Sequence, residues 1–249
     1  MPSNEDMGVV SWDAGAVTTS ESVEVSQPIS GMKLRDAYAD AVRDLTLGIA
    51  RFEDDAVRIG SVDLLKFGPA RVGATGVEWP IRGGLLARGG GRWRIESEDG
   101  IVTATAIGHR PSLPRPLYDL THLQVHLLAT RLYLLRLRGR QASPSVEAPS
   151  GERVRAAAVD IAFCLTLARL TGRRRLRRTL LVAAAYHVAC WSLTGRTLGG
   201  LVMRERVVAL DGSRPTVTQS MFRLALLPVS WLVGRPVHDE LAATKVVKD

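Results

Sequence analysis

The sequence predicts an α+β domain with an antiparallel sheet and two helices, followed by a small all-α membrane helical domain. Apolar residues recur at helical spacing over residues 32–50 and alternate at strand spacing over residues 56–109. Three short apolar segments follow residue 153. A stretch with two Pro residues over 141–152 reads as the linker, so the predicted domains are 31–140 and 153–249.

The first 30 residues are predicted to form a disordered acidic tail. They hold acidic residues but no Lys or Arg, and their Ser, Val and Thr residues follow no clear period. They also lack the basic start and apolar core of a secretory signal. We therefore expect the N-terminal domain to lie in the cytoplasm.

The elements of the first domain follow from spacing and turn signals. Five apolar residues at helical spacing support the first helix: Leu34, Tyr38, Val42, Leu45 and Ile49. The Asp99-Gly100 pair predicts a hairpin between residues 92–96 and 101–107. Three Pro residues over 111–116 end the sheet, and a second helix is expected over 117–137. This helix either packs into the sheet domain or lies on a bilayer surface.

The order of helix, antiparallel sheet and long C-terminal helix is similar to that of helix-grip ligand-binding domains. That likeness, which rests on the order of elements alone, implies an apolar cavity between the sheet and the helix. Four aromatic residues either line such a cavity or form an ordinary core: Trp79, Trp93, Tyr118 and Tyr133. His122 and His126 share a helix face, but no third ligand is apparent, so no metal site is predicted.

Positive charge is concentrated towards the C-terminus. The chain has a net charge of +8, and most of the excess lies after residue 150. A basic block beside apolar segments suits a bilayer with anionic lipid head groups, where each Lys or Arg contributes about 1 kcal/mol. The Arg residues flank apolar segments rather than forming a recognition helix, so nucleic acid is not the expected partner.

Three apolar segments, about 154–170, 180–193 and 221–233, dominate the second domain. Because a full span needs roughly 20 apolar residues, each segment is short or interrupted by charge. The segments alone fit either thin or re-entrant membrane helices or a buried helical core. Cys164 and Cys190 lie inside them without metal-ligand spacing. No phosphate-binding loop or nucleophile motif is present, so neither an enzyme nor a cofactor is predicted.

Several different short motifs follow one another along this domain. Along the chain they are Arg153, Ala156 and Asp160, then Gly195-Arg196-Thr197-Leu198-Gly199, Val207-Val208, Asp211-Gly212, Arg223 and His238-Asp239 with the residues that follow to Val247. Together they resemble the RDD family, a membrane domain named for one Arg and two Asp residues. The resemblance covers residues 153–247. This chain departs from the family pattern at Gly200, at Arg204-Glu205 and in the arginine-rich connection over 173–178.

The resemblance implies a bacterial-type, multi-pass inner-membrane protein, a transport-related or ion-handling accessory of unknown cargo. The functional residues that it implies are Arg153, Asp160, Arg223, His238 and Asp239. Three short helices cannot enclose a pathway alone, so a homo-oligomer or a partner membrane protein is expected. A charge inside a bilayer needs a partner, and Arg223 is the expected partner of Asp160. The alternative is a membrane-tethered binding module whose α+β domain captures an apolar or lipid-like ligand.

The arginine-rich connection complicates the topology. Its five Arg residues favour the cytoplasmic side, as do the Arg residues that precede the first segment. One crossing cannot place both on the same side. Either the first segment dips into the bilayer without crossing, or the connection faces outward against the usual bias, which the helical hairpin of the family favours.

Overall fold

The chain divides after Arg138 into two compact units. The structure, a computed structural model, describes residues 9–139, 146–170 and 176–248. Each unit has its own sheet and helices.

The N-terminal unit is a large antiparallel sheet with three helices. Its strands are β1 Val9–Asp13, β2 Ala16–Glu24, β3 Ala50–Glu53, β4 Ala56–Ile59, β5 Val62–Phe67, β6 Arg71–Val72, β7 Gly76–Gly83, β8 Ala87–Arg88, β9 Arg92–Glu98 and β10 Ile101–Pro111. Its helices are α1 Gly31–Leu45, α2 Arg115–Leu120 and α3 His122–Arg138. The strand order is β1-β2-β10-β9-β7-β5-β4-β3, with β6 paired to β7 and β8 paired to β10.

The start of the chain belongs to this sheet. The β1–β2 hairpin turns at Ala14 and Gly15, whose φ angles of 44° and 77° are those of a tight hairpin turn. In β2 the buried residues Val17, Thr19 and Val23 lie on one face. The prediction of a disordered tail over 1–30 is therefore wrong from residue 9 onwards, because the polar Thr19 stands at a buried position of β2 and interrupts the apolar alternation. Residues 1–8 lie outside the described residues.

The predicted sheet aromatics form an ordinary core. The ring centroid of Tyr38 on α1 lies 5.4 Å from that of Trp79, 6.0 Å from that of Trp93 and 5.8 Å from that of Tyr133. Tyr118 is buried in a separate apolar cluster. These side chains occupy the space between the sheet and the helices. Residues 132–135 of α3 are buried too, as the interpretation of a core helix requires.

Both predicted helices of this unit are shorter than expected. The first ends at Leu45, because Leu47 and Gly48 adopt positive φ angles of 55° and 81° and lead into β3. The second is broken into α2 and α3 at Thr121, whose hydroxyl donates to the carbonyl of Leu117 at 2.6 Å.

The C-terminal unit contains five helices and two strands in the described residues. The helices are α4 Ser150–Leu170, α5 Leu176–Leu193, α6 Leu198–Met203, α7 Val217–Val233 and α8 Val237–Leu241, and the strands are β11 Glu205–Ala209 and β12 Thr244–Lys248. The predictions of an all-α domain and of about three helices are therefore wrong. Val207 and Val208 pair with Val246 and Lys245 near the end of the chain, a long-range contact that local spacing does not reveal.

The predicted linker is partly structured. Ala148 donates its N–H to the carbonyl of Val246 at 3.0 Å, and Glu147 bridges Val247, so this segment lies beside β12. Helix α4 begins at Ser150. Residues 141–145 of the linker, and residues 173–175 of the arginine-rich connection, lie outside the described residues.

The three predicted apolar segments lie in α4, α5 and α7. Within the described ranges, no helix combines the length and the apolar character needed to cross a membrane.

Candidate functional site

The first motif residues share one face of α4. Arg153, Ala156 and Asp160 follow at intervals of three and four, which places them on the same side of a helix. Ala156 and Asp160 are 7% and 5% exposed. A Cβ atom on Gly199 would lie 2.0 Å from the carbonyl oxygen of Ala156. Only glycine therefore allows the start of α6 to approach α4 this closely.

Asp160 holds the turn that precedes α6. Its Oδ1 accepts hydrogen bonds from the Gly199 amide and from the Tyr186 hydroxyl, both at 2.9 Å. The Tyr186 oxygen in turn accepts from the Leu198 amide at 2.7 Å. The expected pair between Asp160 and Arg223 is therefore wrong. The first amides of α6 have no partners within their own helix, and that of Gly199 donates to the carboxylate instead.

The remaining residues of the Gly-x-Thr-x-Gly turn have local roles. Thr197 is the N-cap of α6, and its hydroxyl accepts from the Gly200 amide at 3.1 Å. Gly195 has a φ of 76°, and its carbonyl accepts from the Val207 amide at 2.7 Å. The turn thus joins α5 to β11 and presents the Gly199 amide to Asp160.

A second buried network surrounds Asp239. Arg223 and Arg153 each donate to this carboxylate, and the Thr244 hydroxyl donates to it at 2.9 Å. The side chains of Arg223 and Asp239 are each 5% exposed, whereas that of Arg153 is 29% exposed. The Arg223 guanidinium also lies over the ring of Trp191, 4.9 Å from its centroid. The network ties α4, α5, α7, α8 and β12 together.

The groups around Asp239 keep its carboxyl group ionised at neutral pH, while burial keeps His238 neutral. Burial alone would raise the pKa of Asp239, but the charges of Arg223 and Arg153 and the hydrogen bond from Thr244 hold that pKa below its usual range. Burial lowers the pKa of His238 to about 4, and this effect outweighs the attraction of Asp239. His238 is therefore neutral, with Nδ1 2.8 Å from the Ser230 hydroxyl oxygen.

The comparison with known families falls on this part of the chain. The RDD family model matches residues 178–238. The C-terminal unit contains an RDD family domain. No curated protein and no solved structure matches the chain. Asp239 directly follows the matched residues, whereas Arg153 and Asp160 lie on α4 before them. The fold brings all three against Arg223 or the Gly-x-Thr-x-Gly turn of residues 195–199, which lie inside the match.

The five predicted residues of the RDD domain thus fall into two groups. Arg153, Arg223, His238 and Asp239 lie together, while Asp160 lies with Tyr186 at the turn. Among the described residues, no group of three or more His, Cys, Asp and Glu side chains is arranged to hold a metal ion. The Asp239 carboxylate is occupied by donors from the protein itself, an arrangement that positions helices.

Sequence reasoning missed two partners, Tyr186 and Ser230. Both lie inside apolar segments, where a single hydroxyl reads as a minor interruption. The sequence carries a signal for each of them. Tyr186 is adjacent to a second polar residue, His187, on α5. Ser230 follows Arg223 by seven residues, which is two helical turns.

The polarity of α7 is reversed relative to a helix of a water-soluble protein. Its buried residues are mostly polar: Gln219, Ser220, Arg223, Leu226 and Ser230. Its exposed stripe, spaced by four, four, three and four, is apolar: Val217, Met221, Ala225, Pro228 and Leu232. Trp231 and Leu232 near the helix end are 77% and 88% exposed.

The same reversal occurs in α4 and α5. On α5 the exposed apolar residues are Leu180, Leu181, Val182, Ala185, Ala189 and Leu193, while Tyr186 and His187 are more buried. On α4 Asp160 is buried, while the exposed apolar residues include Val154, Ile161, Phe163 and Leu165. Helices α4, α5 and α7 therefore each expose apolar side chains and hold polar side chains in more buried positions.

Proposed function

We propose that the RDD domain is embedded in a lipid bilayer and holds the N-terminal α+β unit at the membrane surface. The reversed polarity of α7 carries the proposal. An amphipathic helix in water buries its apolar face and exposes its polar face. In α7, Arg223 and Gln219 are buried while Met221 and Leu232 are exposed. If this face contacts lipid hydrocarbon instead of water, exposing its apolar side chains has no free-energy cost.

The basic residues support a particular orientation. Arg136, Arg138, Arg153 and Arg155 flank the start of the RDD domain. Arg-rich flanks favour the cytoplasmic side of a membrane. The proposal therefore includes an inner-membrane location with the N-terminal unit in the cytoplasm. Labelling of single cysteines placed at residues 155 and 235 from each side of the membrane tests this orientation.

Substitution of the apolar stripe tests the anchoring function. Met221→Glu combined with Leu232→Glu places two charges on the exposed face of α7. Each of these apolar side chains contributes about 1.5–3 kcal/mol when it is buried in lipid. Loss of both should therefore lower the vesicle partition coefficient at least about a hundred-fold. The double variant should also be extracted from membranes by carbonate. Leu120→Glu, at a 77% exposed leucine of the N-terminal unit, is the matched control.

The result that contradicts anchoring is clear in the same assay. If native chain is released by carbonate and the double variant partitions as native chain does, the apolar stripe does not contact lipid. Equal losses in the double variant and in Leu120→Glu would show that the effect is not specific to α7.

A second candidate function is ion or proton handling at Asp160, the transport-related role. The observation that favours it is that the carboxylate of Asp160 lies buried with neutral hydrogen-bond donors from Tyr186 and Gly199. Ionisable side chains inside the membrane domain of a protein often mark an ion pathway or a proton relay. The role requires a second copy or a partner membrane protein, because these few helices cannot enclose a pathway.

Flux measurements separate this role from anchoring. Asp160→Asn in vesicles should abolish proton or sodium flux if Asp160 handles the ion, and Asp239→Asn should reduce it only through loss of folded protein. Unchanged flux in folded Asp160→Asn protein would exclude the ion-handling role and leave the anchoring proposal intact.

A further inference from the structure

A cavity of about 350 Å³ lies at one end of the sheet in the N-terminal unit. It opens where the β1–β2 turn meets the connection from β10 to α2. Its walls include the apolar side chains of Trp12, Pro111 and Leu113 and the guanidinium groups of Arg88 and Arg115. This volume is within the usual range for sites that bind small molecules. The cavity has no part in membrane anchoring.

Two arginine side chains beside this cavity lack acidic partners among the described residues. Arg88 on β8 is paired directly opposite Arg110 on β10, so the two side chains lie on the same face of the ribbon. Like charges in this position destabilise a strand pair. In the described part of the chain, neither guanidinium has a hydrogen-bond or ion-pair partner. Asp13 is the acid that lines the cavity. An anion between Arg88 and Arg110 would remove their repulsion.

The aromatic wall is held in place from behind. The ring of Trp12 meets that of Tyr118 edge to face, with centroids 5.7 Å apart. Tyr118 is 2% exposed and packs with Val17 in a small core cluster to which Trp12 and Leu113 are partly buried neighbours. Trp12 is therefore held in place by Tyr118 and does not need to be ordered when a ligand arrives.

Arg115 contributes to the same wall. Its Cζ atom lies 4.8 Å from the centroid of the Trp12 ring, and its Nε lies 3.5 Å from an Asp119 oxygen. Arg115 is thus already partnered and stiffens the rim. Arg88 and Arg110 remain the donors available to a ligand.

We propose that this cavity binds a small organic anion with a carboxylate or phosphate group joined to a planar apolar body. Arg88 and Arg110 hold the anionic group, because guanidinium groups bind carboxylate and phosphate with paired hydrogen bonds. The planar body lies against Trp12 and Leu113. The ligand that this site selects is charged at one end, unlike the wholly apolar ligand expected for a cavity between sheet and helix.

Calorimetric titration of the full chain in detergent micelles tests the proposal. The probes are 2-naphthoate, 2-naphthyl phosphate and the neutral 2-naphthalenemethanol. The two anions should bind at least about ten-fold more tightly than the alcohol, as expected for loss of a charge-assisted hydrogen bond. Arg88→Gln combined with Arg110→Gln should weaken both anions by a similar factor. Some probe partitions into the detergent micelles, and the heat of that partitioning is the same for native and variant chains, so it cancels when the two are compared.

Three further measurements keep the result decisive. Arg51→Gln removes an exposed Arg from β3, at the other end of the sheet order, and should leave binding unchanged. Arg88→Lys with Arg110→Lys retains the charge and should give intermediate affinity in a chain with native near-ultraviolet circular dichroism. Equal affinity for 2-naphthoate and the alcohol, or inorganic phosphate binding as tightly as 2-naphthyl phosphate, would overturn the proposal.

Discussion

Asp239 and its neighbour Glu240 offer a direct test of the buried network. Asp239→Asn keeps the shape of the side chain but removes the negative charge between Arg223 and Arg153. Arg223 would then remain buried without a counter-charge. Removal of one partner from a buried ion pair costs about 3–5 kcal/mol. Because Arg153 is 29% exposed and can reach water, the loss arises mainly from Arg223.

Glu240→Gln is the matched control for this substitution. Glu240 is on the same short helix but is 42% exposed, and its oxygen lies 3.3 Å from Arg235. An exposed pair of this kind contributes about 0–1 kcal/mol. The two variants therefore differ in burial of the carboxylate rather than in chemistry or position along the chain.

Denaturant titration in detergent, followed by hydrogen exchange of peptides from β11 and β12, measures both variants. These strands pair within the C-terminal unit, so their amides report on it separately from the N-terminal sheet. Asp239→Asn should lower the free energy of unfolding by about 3–5 kcal/mol, and Glu240→Gln by less than about 1 kcal/mol. Equal effects of the two substitutions would refute the reasoning that burial of this network matters.

The remaining predictions concern the turn and the N-terminal unit. Gly199→Ala should destabilise the C-terminal unit by about 3 kcal/mol or more, because its Cβ would overlap the Ala156 carbonyl, whereas Gly151→Ala on α4 has open space and should be neutral or stabilising; thermal unfolding checks both. Tyr186→Phe removes the hydroxyl that links α4, α5 and α6, and should speed hydrogen exchange in α6 with little effect on β10. Burial raises the pKa of Glu21 to about 7 despite a nearby Arg, so its folded form retains a proton that the unfolded chain loses above pH 4.5. Stability from this group is complete below pH 4.5 and is lost as pH rises through 7, by at most about 3 kcal/mol. Glu21→Gln should remove that slope in urea titrations between pH 5 and 8, and an unchanged slope would contradict the assignment.

Motif order in the sequence predicted which residues matter in the C-terminal unit but not all of their contacts. Arg223 and Asp239 were named from short motifs and lie together in the fold. The predicted pairing of Asp160 with Arg223 is wrong because opposite charge is not the only way to satisfy a buried carboxylate. A carboxylate can equally be satisfied by free amides at a helix start, and Gly199 supplies one of them.

The strands were predictable where apolar residues alternate with polar ones, and hidden where polar residues occupy the buried positions. The hairpin across Asp99-Gly100 is present, with β9 paired to β10. The strand of residues 16–24 was missed because an acidic, Ser-rich composition dominated the interpretation. The pairing of β11 with β12 joins residues about 40 positions apart, a contact that periodicity within a short window cannot predict.

The polarity of the C-terminal helices could be read only from the fold. In sequence, α7 is an apolar segment interrupted by Arg223 and Pro228. The structure places Arg223 inside and Pro228 outside, so the interruption becomes an ordered separation of faces. The proposal for this domain depends on contact between lipid and the exposed apolar face of α7.

Oxygen and nickel-chelate accessibility of spin labels tests that claim most directly. Labels are attached to single cysteines at Ala225 on α7 and Ala185 on α5, in vesicles and in a background without Cys164 and Cys190. A label at Leu120 on α2 is the aqueous control. We expect the labels at 225 and 185 to collide more with oxygen, which is concentrated in lipid, than with the water-soluble chelate. Chelate accessibility at 225 and 185 as high as at 120 would contradict it.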